Sequence, residues 1–359
     1  MVKIRVLVID DSALIRQMLT EILNSRDDID VVGTAEDPFI AREKIKQLSP
    51  DVLTLDIEMP RMTGLQFLKN LMRLRPMPVI MVSTLTERGA PETLEALELG
   101  AVDYICKPKA KTETKLRIFA DDLVSKVRMA STARVRPFEQ NKTRVPVARS
   151  SATFSKVIAV GASTGGTEAI KELLTSVPEN CPPILITQHI PKVFSTSFAE
   201  RLDRCLAMEV FEAQEGMIIR SGCVYIAPGD YHLTIAKSGT KMVCRIIQTE
   251  KVNRHRPAVD VMFNSILEAY GPNVVAVMLT GMGNDGAQGM LKLKQAGAVT
   301  YAQDEATSVV WGMPQAAYNI GAVDELLPLQ KITERMLWSA QKNDHLKRWV
   351  KAEYGLKYK

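Results

Sequence analysis

Along the first 125 residues, short apolar runs alternate with longer stretches whose apolar positions recur every three or four residues. The runs are IRVLVI (4–9), DVVGTA (30–35), DVLTLD (51–56), PVIMVS (78–83) and VDYIC (102–106), each followed by a candidate helix. A strand covered on both faces reads as apolar throughout, so five such βα units predict a compact, doubly wound parallel sheet. The same pattern resumes with KVIAV (156–160), PILITQ (183–188), NVVAVMLT (273–280) and AVTYAQ (298–303), predicting a second doubly wound parallel sheet. Between the two, Ser131 to Ala152 holds no apolar period, contains two prolines and is rich in small and basic residues. It reads as a flexible linker. The expected organisation is an α/β domain over 1–130, a linker over 131–152 and a second α/β domain over 153–359.

A length of 359 residues fits two domains at roughly 150 residues each. With 46% hydrophobic and 24% charged residues, the chain lies in the ordinary globular range, which disfavours a disordered or fibrous protein. No apolar run approaches the roughly 18 to 20 residues of a membrane span, and the N-terminal run meets acid at Asp10. A cytoplasmic protein without signal peptide or membrane insertion is expected. Cys106, Cys181, Cys205, Cys223 and Cys244 are odd in number and never in CxxC spacing, so they read as reduced, largely core residues. The net charge of +5 hints at nucleic acid until it is located. Most of the surplus falls in 131–152, and neither flanking half has the broad basic character of a nucleic-acid binder.

In doubly wound sheets, ligands gather beyond the carboxyl ends of the strands. The polar residues at those ends in the first half are Asp10, Asp11, Asp56, Ser83, Thr84 and Lys107. Three converging carboxylates repel one another unless a hard divalent cation neutralises them, and an all-oxygen set suits Mg²⁺. A lysine and a hydroxyl beside it are suited to hold a transferred phosphoryl group. Helix capping would explain Asp11 alone, but not the set.

Taken together, VLVIDDS, TLDIEMPRMTG, MVST and CKP resemble the receiver domain of two-component response regulators over residues 3–125. The resemblance implies that Asp56 is the phospho-acceptor, that Asp10 and Asp11 help bind Mg²⁺, and that the backbone carbonyl of Glu58 completes the metal site. It further implies that Ser83 and Lys107 contact the phosphoryl group and that the rotamer of Tyr104 follows phosphorylation. Thr63 departs from the pattern, standing where many receivers carry Asp before the glycine.

In the second half, KVIAV runs into GASTGGT (161–167), a glycine-rich turn between strand and helix. It lacks the middle glycine of GxGxxG and the GK[ST] of a P-loop, and it sets Ser163 at the turn as in a nucleophile elbow. Serine also caps helices, so Ser163 needs a base to read as a nucleophile. Of the four histidines, His345 lies in a charged C-terminal stretch and His232 in a strand-like one where a structural role is equally plausible. His255, between two arginines, suits anion or substrate contact. His189 ends PILITQ on the same rim as Ser163 and is the chosen base. Asp285, in the loop GMGNDG (281–286), is the acid that would orient it, since triad logic is indifferent to chain order. The N–H groups of Thr164 and Met282 would form an oxyanion hole. A competing reading takes GMGNDG with Asp304 as a dinucleotide-binding fingerprint; it leaves Ser163 and His189 unexplained and aims Asp285 at a pyrophosphate. A third takes the second half as a partner-binding module.

Over its whole length, the chain, a receiver followed by GASTGGT, QH, HRPAVD and TGMGNDG, resembles the chemotaxis protein-glutamate methylesterases. The resemblance implies hydrolysis of glutamate methyl esters on the cytoplasmic domains of chemoreceptors, deamidation of receptor glutamines, and phosphorylation of Asp56 by the chemotaxis histidine kinase. Mg²⁺ would serve receiver phosphorylation, and ester hydrolysis would need no cofactor. Ser163 would be the nucleophile, His189 the general acid and base, and Asp285 its partner. The residues by themselves support acyl-transfer chemistry under a phosphorylation switch, with the unphosphorylated receiver expected to obstruct Ser163.

Overall fold

The computed structural model describes residues 3–83, 90–108, 112–135 and 154–341. Its first half runs β1 (Ile4–Ile9), α1 (Ala13–Asn24), β2 (Ile29–Ala35), α2 (Pro38–Leu48), β3 (Val52–Asp56), α3 (Gly64–Leu74), β4 (Val79–Ser83), α4 (Ala90–Glu98), β5 (Asp103–Cys106) and α5 (Glu113–Ser131). The strands form one parallel sheet in the order β2-β1-β3-β4-β5. Alternate residues of β1 feed separate cores, Leu7 and Ile9 on one face and Val6 and Val8 on the other. That two-sided burial is why the strand reads as apolar throughout.

The second half runs β6 (Val157–Ala162), α6 (Gly166–Thr175), β7 (Ile184–Gln188), α7 (Lys192–Cys205), β8 (Glu209–Glu212), β9 (Cys223–Ile226), β10 (His232–Ser238) and β11 (Lys241–Ile247). It continues with α8 (Val259–Tyr270), β12 (Val274–Met278), α9 (Ala287–Gln295), β13 (Val299–Gln303), α10 (Met313–Asn319), β14 (Glu325–Leu327) and α11 (Leu329–Ala340). Seven strands form a parallel sheet in the order β14-β13-β12-β6-β7-β9-β8. Strands β10 and β11 make a separate antiparallel hairpin whose Leu233 and Ile235 join the same core as Met262 and Phe263 of α8.

Register does the positioning. Ala162 of β6 pairs with Gln188 of β7, and Gly161 pairs with Met278 of β12. The turns after β6, β7 and β12 therefore open side by side, where the sheet order reverses and α/β proteins place their sites.

Helix α5 extends through Ser131, beyond the expected start of the linker. The Arg134 amide donates to the Val309 carbonyl at 3.1 Å, and its guanidinium pairs with Glu305 at 2.7 Å. Arg134 thus ties the chain after α5 to the second half, while the Ser131 and Thr132 hydroxyls bond back to the Arg128 and Met129 carbonyls. The rest of the expected linker, Thr84, and the C-terminal stretch with His345 lie outside the described residues. Among the described residues no helix is long and apolar enough to cross a membrane. All five cysteines are free thiols, three of them buried.

The two halves pack together. Glu98 of α4 forms ion pairs with Lys171 of α6 and Arg201 of α7. The Tyr104 ring meets Phe194 of α7 edge to face, with centroids 4.9 Å apart. The Thr164 hydroxyl donates to Asp103 Oδ2 at 2.7 Å, an oxygen that also pairs with Lys126 of α5 at 2.9 Å.

Candidate active site

Ser163 follows β6 directly, and its neighbours explain the glycines around it. A Cβ added at Gly281 would lie 2.7 Å from the Ser163 Cβ, and one at Gly166 would lie 2.1 Å from Gln188 Oε1. Gly165 holds φ at +73°, a conformation that side chains resist. The Ser163 carbonyl accepts from Gln188 Nε2 and from the Gly166 amide, both at 2.8 Å, while its own amide donates to the Thr280 carbonyl. The backbone at Ser163 is thereby pinned between β7 and the GMGNDG loop.

His189 is set beside it by its amide, which donates to the carbonyl of Ala162 at 3.1 Å. Its Nε2 lies 2.8 Å from Asp285 Oδ2. Asp285 is 1% exposed and accepts three further hydrogen bonds, from the Val259 amide (2.7 Å), the Asp260 amide (3.2 Å) and Asn253 Nδ2 (2.8 Å). Burial alone would raise its pKa, but the hydrogen bonds from His189, Asn253 and Val259 outweigh it and hold the carboxyl below the usual range. An ionised Asp285 makes Nε2 the protonated nitrogen of a neutral His189. Nδ1 is then left as a lone-pair base, buried and without a hydrogen-bond partner among the described residues. The Ser163 hydroxyl does not hydrogen-bond to it in this structure, and such contacts commonly tighten only with substrate bound. Among the described residues, neither the Thr164 nor the Met282 amide donates a hydrogen bond, as oxyanion donors require.

His255, expected at an anion or substrate, lines the cleft beside the pair. It lies face to face on His189, centroids 3.7 Å apart and planes within 7°, and burial together with the neighbouring His189 pushes its pKa down to about 4. A ring shifted that way favours its neutral form, which suits substrate contact better than anion contact. Of the flanking arginines, Arg256 is spent on Asp230 and the Thr249 carbonyl. His232 proves structural: Nδ1 accepts from the Ala258 amide and Nε2 donates to the Glu250 carbonyl. The dinucleotide reading finds its acid occupied, for Asp304 Oδ1 accepts from the amide and hydroxyl of Thr307, while Asp285, which already counted against that reading, is engaged with His189. Asn253 and Asp103 were missed; no periodicity announces them, because each acts through a contact distant in sequence.

In the first half, carboxylate oxygens of Asp10, Asp11 and Asp56 lie within 4.8 Å of one another. Lys107 Nζ lies 2.9 Å from both Asp10 and Asp56. Burial and the nearby Asp10 push the Asp56 pKa up to about 6, so negative charge there is undercompensated by the protein. A hard all-oxygen set with unbalanced charge fits a divalent cation. Ser83 Oγ lies 3.0 Å from Thr93 Oγ1 at the end of β4. Asp11 does not cap α1; Ser12 does. Thr63 has its own reason, forming a reciprocal capping box with Gln66 at the start of α3.

A cleft of about 1480 Å³ lies over Ser163, His189 and Asp285, and its opposite wall is Tyr104, Ser125 and Lys126 of the first half.

A carboxylate rim with a lysine in one half and a histidine-aspartate pair in the other fit a response regulator with a hydrolytic output domain. Residues 6–119 match the response regulator receiver domain family, and residues 158–336 match the CheB methylesterase family. The chain is 54% identical over 345 residues to protein-glutamate methylesterase/protein-glutamine glutaminase 1 of Xanthomonas euvesicatoria pv. vesicatoria, covering 93% of this chain and 96% of that one. It is also 54% identical over 351 residues to the protein-glutamate methylesterase/protein-glutamine glutaminase of Nitrosomonas europaea, covering 94% and 96%. The crystal structure of the Thermotoga maritima CheB methylesterase catalytic domain superposes with a TM-score of 0.50 at 38% identity, over 52% of this chain and 99% of that one. The chain belongs to the protein-glutamate methylesterase/protein-glutamine glutaminase family.

Proposed function

We propose that this chain is a phosphorylation-activated serine hydrolase that demethylates glutamate methyl esters on the cytoplasmic domains of chemoreceptors, deamidates receptor glutamines, and so gives adaptation in chemotaxis. The observation that carries the hydrolase is the ionised Asp285 on His189 Nε2, which leaves Nδ1 as the base on the rim that bears Ser163. Ser163 Oγ attacks the ester carbonyl as Nδ1 takes its proton. The Thr164 and Met282 amides hold the oxyanion, each such donor contributing about 3–4 kcal/mol. The C–O bond breaks, His189 returns the proton to the leaving methoxide, and methanol departs. Water then loses a proton to Nδ1 and attacks the acyl-enzyme carbonyl; the acyl–Oγ bond breaks as His189 returns that proton to Ser163 Oγ, and the product acid ionises to the carboxylate, while a glutamine releases ammonia in place of methanol.

Asp56 is the phospho-acceptor, with the chemotaxis histidine kinase as donor and Ser83 and Lys107 contacting the phosphoryl group. Asp10, Asp11, Asp56 and the Glu58 carbonyl would hold Mg²⁺, which would supply charge neutralisation for that transfer. Tyr104, at the end of the receiver sheet, already touches Phe194, so a change at the rim has a short path to the interface. The test is methanol release from methylated receptor membranes, with and without a small phosphodonor and Mg²⁺. The parent should accelerate with phosphodonor, and Ser163→Ala should lose at least about 10³-fold in rate. Undiminished release by Ser163→Ala would reject the nucleophile.

A further inference from the structure

We infer that Asn253 is a positioning residue for the hydrolase, holding Asp285 against His189 by sharing one amide between two buried carboxylates. The inference rests on the triad reading above and adds to it a residue outside the triad.

The geometry is specific. Asn253 Nδ2 lies 2.8 Å from Asp285 Oδ1 and 2.8 Å from Asp260 Oδ2. An amide nitrogen carries two hydrogens and no charge, so it can donate one to each acid. Asp260 is itself 8% exposed, and its other oxygen accepts from the Gly289 amide at 2.6 Å, which fixes the far end of the bridge to α9. The bridge therefore runs from α9 through Asp260 and Asn253 to Asp285 and on to His189. With Oδ1 of Asp285 held by Asn253 and the Asp260 amide, Oδ2 can turn only towards His189 and the Val259 amide.

The local backbone is built to present that amide. Val252 and His255 exchange both amide-to-carbonyl hydrogen bonds, closing a two-residue turn in which Asn253 and Arg254 have φ of +52° and +70°. Asparagine tolerates this left-handed conformation better than other side-chain-bearing residues. The turn thus delivers Asn253 to Asp285 and the His255 ring to His189 from one short segment. The titratable groups around Asp285 are His189 after β7, Asp260 of α8 and His255 of the turn.

Alanine at 253 would be strained at this φ, so the informative replacements are glycine, which removes the amide without strain, and aspartate, which keeps shape but loses both donors. Full-length Asn253→Gly and Asn253→Asp would be compared with the parent, Ser163→Ala and Asp285→Asn. All would be assayed as phosphodonor-activated protein across pH, with kcat and KM for methanol release resolved. Asn253→Gly should lower kcat about tenfold with KM unmoved. The acid limb of its pH profile should shift upward, because an Asp285 with one donor fewer holds the His189 proton more tightly. Asn253→Asp should lose more than Asn253→Gly. Thermal unfolding and fluorophosphonate labelling of Ser163 separate loss of fold from loss of alignment: a folded variant with slowed labelling supports positioning. A kcat and pH profile equal to the parent in folded Asn253→Gly, with Asp285→Asn inactive, would overturn this inference and leave the triad standing. Full activity in Asp285→Asn would overturn the triad and this inference with it.

Discussion

At the scale of single residues, the site is governed by where protons sit. Asp285 keeps its charge although buried, because four donors converge on it. His255 is the opposite case, a half-buried ring that favours its neutral form, and this has a measurable consequence. An unfolded histidine takes up a proton near pH 6.5, whereas His255 in the fold does so only near 4. The stability drawn from its neutral ring is complete above pH 6.5 and is lost as pH falls towards 4, since the unfolded chain binds the extra proton first. His255→Phe preserves a flat ring on His189 and removes that titration. Its urea-unfolding midpoint should decline less than the parent's between pH 7 and 4.5; parallel declines would refute the assignment.

At the scale of elements, helix starts carry information that strand patterns do not. Thr63, the one departure from the receiver pattern, is the N-cap of α3 in a reciprocal box with Gln66. Thr63→Ala removes one side of that box and should destabilise the receiver by about 1 kcal/mol, read as a shift in its denaturant midpoint, with methanol release by the activated enzyme unchanged. Eight strands of five to seven residues were legible because most are buried on both faces and read as apolar runs, and the four-residue β5 was legible through its place in the βα repeat. Strands β8, β9 and β14, of three or four residues, were not, and neither was the β10–β11 hairpin as a pair. A strand that short holds too few positions to display a period, and its existence depends on the sheet edge it joins.

At the scale of the whole molecule, the two halves share the walls of the cleft. Asp103 of the receiver accepts the hydroxyl hydrogen of Thr164, a residue of the proposed oxyanion hole. The other polar contacts include exposed pairs such as Arg134 with Glu305, worth about 0–1 kcal/mol each. Half-buried contacts add to these, the Glu98 ion pairs and the Tyr104–Phe194 ring pair among them, and for any such docking equilibrium a shift of 1.4 kcal/mol changes the open population about tenfold. A chain beginning at residue 154 should therefore release methanol several-fold faster than the unphosphorylated whole. Asp103→Ala should move the full-length protein in the same direction. Equal rates for truncated and whole protein would reject obstruction by the receiver.

The apolar runs, the acids of the receiver rim, Ser163 at its glycine turn and His189 and Asp285 at strand ends could all be read from the chain. Each sits at a position that topology alone commits to the carboxyl rim of a parallel sheet. The tertiary structure alone decided that His255 stacks on His189, that Asn253 bridges Asp285 and Asp260, and that Asp103 reaches Thr164. All but the Asn253–Asp260 contact join segments tens of residues apart through side chains, and a linear pattern encodes the period of an element but not which surfaces meet when elements pack.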